Sequence, residues 1–153
     1  MIYRDATLDD VDKIVDCIID FWEDRNHKDY EKDVVRDFLI KCIKRKHRYA
    51  VICEDKGQIL GGQLSEVEDH PFTNEWFLAE KIWFTSPKIS KFKRAKVAYG
   101  VLSEIPYFMK KFNLKRVVNH VHSTDGSEGC TSANKMLQKM GYQLLWQKYV
   151  KTV

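Results

Sequence analysis

The stretch Lys91–Leu102, "KFKRAKVAYGVL", decides how the chain is read. Four of its first six residues are Lys or Arg, and Val97, Ala98, Val101, Leu102, Ile105, Phe108, Met109 and Phe112 then recur every three or four residues. That spacing predicts a helix from Val97 with a basic approach, kinked where Pro106 interrupts it. Helix amino termini carry partial positive charge and disfavour cations by about 0.3–1 kcal/mol each. Lys91, Lys93, Arg94 and Lys96 therefore ask for a negative partner. Phosphate suits helix amino termini and basic side chains together, while a solvated basic face is the plainer use.

Upstream the chain alternates between two periods. "IYRDA" opens as a strand, and Thr7 with Asp10 three residues later marks a helix start. Val11, Ile14, Val15, Ile18, Phe21 and Trp22 give the first helix a buried face, with Asp12, Asp16 and Asp20 turned to water. A second helix follows "EDRNHKDYE", with Val34, Phe38, Leu39 and Cys42 as its apolar stripe and "KRKHR" at its end, where cations suit the helix dipole. Then come "YAVICED", a turn at Lys56-Gly57, "QILGGQLSEVE" and "NEWFLAEKIWF", read as three sequential antiparallel strands. Gly61-Gly62 inside the second of these implies a bulge or a close backbone approach.

Downstream, "KRVVNHVH" reads as a strand, "STDGSEG" as a loop, Thr131 to Met140 as a helix capped by Gly141, and "YQLLWQKYVKTV" as a last strand. The order β-α-α-β-β-β-α-β-α-β predicts an α/β (α+β) fold, a mixed sheet with helices on both faces. At 153 residues with no repeat or linker, one domain over 1–153 is expected. A net charge of +4 suits an anionic ligand and falls short of a dedicated nucleic-acid binder. Four scattered cysteines without a CxxC pair point to a reducing, cytoplasmic setting, and no apolar run approaches a membrane span.

The element order resembles the GNAT superfamily of acyl-CoA-dependent N-acetyltransferases. That family's signature follows its fourth strand as Arg or Gln, two residues, Gly, one residue, then Gly or Ala, with an aliphatic pair four residues on. Here the motif falls on Lys93, Arg94, Ala95, Lys96, Val97 and Ala98, with Val101 and Leu102 as the pair. "LAEKIWF" is similar to the family's fourth strand, and the closing "MLQKMGY" with Ala133 is similar to its last helix. Lys96 stands where the family has glycine, Leu137 where it often has a tyrosine acid, and Cys130 where it has asparagine. A basic run of this kind leading into a helix also resembles small acetyltransferase-like proteins of tailed bacteriophages.

The resemblance implies acetyl-CoA as co-substrate and direct transfer of its acetyl group to an amine on a small molecule or a protein. Residues Lys91, Lys93, Arg94, Ala95, Lys96, Val97 and Ala98 would hold the cofactor, and Trp83, Phe84 and Thr85 would present backbone N–H groups to the thioester carbonyl. Glu80 would be the base, and Tyr142, with Tyr149 as a second candidate, the acid that protonates the leaving thiolate. The plainer readings are an edge glutamate paired with Lys81 and tyrosines filling a core. His120 and His122 alternate on one strand face, but without a third ligand at diagnostic spacing no metal is expected. A catalytically inactive GNAT-fold protein with a binding or structural role is the alternative function, and a homodimer is one option for its assembly.

Overall fold

Among the described residues five strands, β1 (Ile2–Asp5), β2 (Arg48–Asp55), β3 (Gln58–Asp69), β4 (Trp76–Thr85) and β5 (Arg116–Val118), form one mixed sheet in the order β1-β2-β3-β4-β5. The first four pair antiparallel and β5 runs parallel to β4. The computed structural model describes residues 1–69, 73–119 and 131–143. Two compact units divide the chain, Met1–Asn119 and His120–Val153.

In the first unit the helices are α1 (Val11–Glu23), α2 (Lys32–Lys44), α3 (Lys91–Ser103) and α4 (Ile105–Lys111). One sheet face carries the main core. Ile14, Val15 and Ile18 of α1 and Leu39, Cys42 and Ile43 of α2 pack there with Ile52, Leu64 and Phe84. The other face carries α3, where Val97 and Val101 meet Cys53 and Leu60. Of the stripe expected on α2, Leu39 and Cys42 are in place, while Val35 and Ile43 take the positions expected for Val34 and Phe38. Val35, Leu39, Cys42 and Ile43 are buried, whereas Val34 is 60% and Phe38 38% exposed, so Ile43 rather than Phe38 completes the seam.

Helix α3 also differs from expectation, starting six residues earlier, at Lys91. Ser90 caps it, its Oγ accepting from the Lys93 amide at 3.3 Å. A serine cap is a strong local start signal that outweighs the dipole's objection to the basic residues behind it. Pro106 ends the continuity more sharply than a kink. Helix α3 stops at Ser103, and α4 takes Pro106 in its first turn, where a missing N–H is harmless.

Between β2 and β3, Lys56 and Gly57 both have positive φ (51° and 79°), the two-residue hairpin turn whose twist matches the strands. The glycine pair that follows does both things expected of it. Leu60 is an extra residue in the β2–β3 register, and a Cβ on Gly61 would lie 2.6 Å from the Phe84 carbonyl oxygen and 2.8 Å from Val97 Cγ1. Gly61 is the point at which α3 settles on the sheet. Gly100 provides the second contact, because its open side takes the Tyr3 ring, whose hydroxyl donates to Lys96 O at 3.2 Å.

Next to Tyr3 on the same strand, Arg4 ties β1 to the start of α1. Its guanidinium donates to both Asp10 oxygens at 2.8 Å and to Glu54 Oε2, while the Asp10 carboxylate also accepts from the Thr7 amide at 2.9 Å. In the second unit, α5 (Thr131–Lys139) ends in a Schellman turn. Gly141 N donates to Gln138 O and Tyr142 N to Leu137 O, both at 3.0 Å, with Gly141 at φ 86°. The last strand expected from Tyr142 lies, from residue 144, outside the described residues.

Two measurements check this packing. Gly61→Ala is expected to cost about 1–3 kcal/mol in urea unfolding, because backbone on one side and Val97 on the other leave no room. The Arg4 guanidinium holds the Asp10 carboxyl well below the usual carboxylate range. A depressed carboxylate stabilises above its unfolded value of about 4, and that contribution is lost as pH falls through the folded value. Urea midpoints at pH 7 and pH 3 should therefore differ less in Asp10→Asn than in the wild type, with the variant weaker at pH 7.

Candidate active site

The α3-facing side of the sheet changes character along its width. Beneath α3 it is apolar, and towards β5 it is polar. Gln63 and Ser65 flank Leu64 on β3, and pairing sets Trp83 beside Gln63 and Glu80 beside Ser65. Gln63, Ser65 and Glu80 are buried. The Gln63 amide donates to Ser65 Oγ at 2.8 Å and to Asn119 Oδ1, on the residue after β5, at 2.9 Å.

A bulge on β4 makes that reach feasible. The β3–β4 register shifts between Leu64 and Ser65, leaving Lys81 as an extra residue. Lys81 and Ile82 both turn to the opposite face. There Lys81 pairs with Glu68 and lies 3.8 Å from Glu66, while Ile82 packs on the main core. Glu80 and Trp83 are thus three residues apart on a face where the strand period is two, and the Gln63 side chain crosses the interval to Asn119. Among the described residues β5 pairs with β4 at Phe77–Ala79.

The cofactor-binding residues expected from sequence divide into two groups. Lys93 and Arg94 already have protein partners. Lys93 Nζ lies 2.8 Å from Asp55 Oδ2, and Arg94 reaches Asp24 Oδ2 at 3.2 Å. The Arg94 fork also donates to Ile89 O at 3.1 Å and Pro87 O at 2.5 Å, fixing the path from β4 to α3. Lys91 and Lys96 are exposed and make no ion pair among the described residues. The amides of Lys91 and Phe92 head the helix with no acceptor among the described residues. Val97 and Ala98 are buried in the second turn of α3. Phe84 belongs to the main core, and Trp83 and Thr85 are half-buried on the α3 side.

Glu80 therefore sits with Gln63, Ser65, Trp83 and Asn119. Sequence reading singled out Glu80 and Trp83 and passed over the other three. Tyr142 lies in the second unit, just beyond the Schellman turn, whereas Tyr149, His120, His122 and Cys130 fall outside the described residues. Among the described residues no three His, Cys, Asp or Glu side chains cluster as metal ligands, and no helix is long and apolar enough to cross a membrane.

The described cysteines are poor nucleophiles. Burial pushes the Cys17 thiol up to about 12, with Asp20 adding to the effect. Burial, then the hydrogen bond to Glu66, pushes Cys42 to about 12, and burial also raises Cys53. Native protein treated with iodoacetamide at pH 8 should therefore show Cys17, Cys42 and Cys53 unmodified by peptide mass mapping, and labelled only after unfolding.

No protein-family model matches the sequence, and no curated protein matches it. Solved structures do. A transcriptional regulator from Bacillus halodurans superposes with a TM-score of 0.78 at 12% identity, covering 99% of each chain. A protein described as a probable acetyltransferase gives 0.75 at 16% identity over 100% of this chain and 98% of that one. An aminoglycoside acetyltransferase from an uncultured soil metagenomic sample gives 0.72 at 11% identity over 99% of this chain and 95% of that one. At such identities the likeness carries the architecture alone, a GNAT-like α+β fold.

Proposed function

We propose that the protein transfers an acetyl group from acetyl-CoA to an amine by direct attack, residues 1–153 acting as one acyltransferase domain in a reducing cytoplasm. The observation that carries this reading is Glu80, a buried carboxylate set beside Ser65 on the α3-facing side of β4, in a fold shared with acetyltransferases. The amine nitrogen attacks the thioester carbonyl, a C–N bond forms, and the C–S electron pair leaves with sulfur. Glu80 takes the ammonium or amine proton, directly or through water, and the leaving thiolate takes one from solvent. Backbone N–H groups of the Trp83–Thr85 stretch support the oxyanion between the two events.

Lys91 and Lys96, with the two leading amides of α3, are the groups available to the CoA phosphates. Lys93 and Arg94 contribute by holding the turn and the helix in place. A small-molecule amine is the favoured acceptor, in line with the aminoglycoside acetyltransferase among the structures of this fold. Among groups that take up protons in transfer, removal typically costs about 10²–10⁴-fold in rate, so Glu80→Gln should lose that much and its base-dependent limb in the pH–rate profile. An unchanged profile would remove Glu80 from the chemistry. Lys91→Ala with Lys96→Ala should weaken CoA binding in calorimetry at low salt, the deficit closing towards 1 M, where the Debye length is about 3 Å.

A further inference from the structure

We propose that Gln63, Asn119 and Trp83 form a receptor for an amide group beside Glu80, a reading that deepens the transfer function above and rests on it. Gln63 is fully buried, and its Nε2 uses both hydrogens, on Ser65 Oγ and Asn119 Oδ1. Its Oε1 accepts nothing, while the buried Asn119 Nδ2 and Trp83 Nε1 donate to nothing. Turning both side-chain amides by half a turn exchanges the roles and leaves the same balance, one unfilled amide acceptor and one unfilled amide donor, with the indole N–H as a second donor.

That balance is selective. Buried polar groups in proteins are almost always paired, so three orphans gathered round one pair of cross-strand neighbours call for a partner, a bridging water in the free protein or a ligand group that displaces it. A phosphate or carboxylate would face Gln63 Oε1 and the Glu80 side chain with no donor of its own. A bare ammonium would leave Asn119 and Trp83 unsatisfied, and an apolar group would leave all three. A –CO–NH– group fits, its carbonyl accepting from Asn119 and Trp83 and its N–H donating to Gln63. Two parts of the reaction carry such a group: the pantetheine arm of the donor, and an acceptor with an amide next to its amine, as in an amino-acid amide. Glu80, opposite Ser65, places the proton acceptor alongside.

The test uses the whole chain and needs no turnover. Protein-observed NMR titrations of wild type, Gln63→Met and Trp83→Phe are run with pantetheine, L-alaninamide and isopropylamine, the last matching alaninamide without its amide. At least one amide probe should bind the wild type and weaken about tenfold or more in Gln63→Met, with isopropylamine unchanged; the probe that weakens names the source of the amide. Trp83→Phe removes the indole N–H together with one ring while keeping an aromatic side chain, and should weaken the same probe if Gln63→Met fails to fold. Amide probes that bind both variants as they bind the wild type, or that bind none of the three proteins, overturn the receptor. Transfer activity with Gln63-independent amide binding defeats this inference alone, whereas Gln63-dependent binding without any transfer defeats the transferase reading alone.

Discussion

One inserted residue in a strand reverses the facing of every side chain beyond it, and β4 carries such an insertion at Lys81. Had the pairing run on without it, Phe84 would point at α3 and Trp83 into the main core. The bulge lets the first half of β4 set Glu80 beside Ser65 and the second half set Phe84 against α1 and α2. It also withdraws two consecutive side chains from the α3 face, which is why a glutamine on β3 can bond an asparagine beyond β5 across the strand between them. Core and site are therefore solved by the same irregularity.

The basic segment is organised by a division of labour among like charges. Exposed ion pairs are worth little individually, about 0–1 kcal/mol. The Asp55 and Asp24 carboxylates thus matter less as sources of stability than as fixed positions for Lys93 and Arg94. Arg94 is different in kind, since its planar fork binds two carbonyls of the preceding turn and a carboxylate at the end of α1 at once. With these two cations satisfied by the protein, an external anion would meet Lys91, Lys96 and the unbonded amides at the head of α3. Lys96 in place of a glycine is accommodated because α3 begins five residues ahead of it, so its backbone is helix interior and its side chain is free to point outward.

Most elements were legible because their periods are clean. Lys56-Gly57, the apolar run of β2 and the α1 face all follow from local rules, and Glu80 stood out as a charge among apolar neighbours. The change in the α2 stripe was not legible: Val34 and Val35 are equally apolar, and only the packing partner chooses between them. The early start of α3 was concealed by its charges, which argued against a helix while Ser90 argued for one. Gln63, Ser65 and Asn119 were missed for a deeper reason. In a strand with alternating pattern, a polar residue next to a leucine reads as the solvent side. Leu64 does face the main core, but the other face of β3 is covered too, and that is a property of tertiary structure alone.

Those residues are also where local sequence and fold disagree, because an apolar trio of the same volume would extend the Cys53–Val97–Val101 cluster and leave nothing unpaired. Half-satisfied buried polar groups are a worse solution for stability than an apolar core. A chain that keeps a glutamine fully buried, with its carbonyl unfilled, beside two unfilled donors has therefore forgone packing at one spot on an otherwise consistent sheet. Local inconsistencies of this sort concentrate at functional sites. The disagreement falls beside Glu80, the buried carboxylate that face carries among the described residues, so the features that weaken the fold lie where the candidate chemistry is placed.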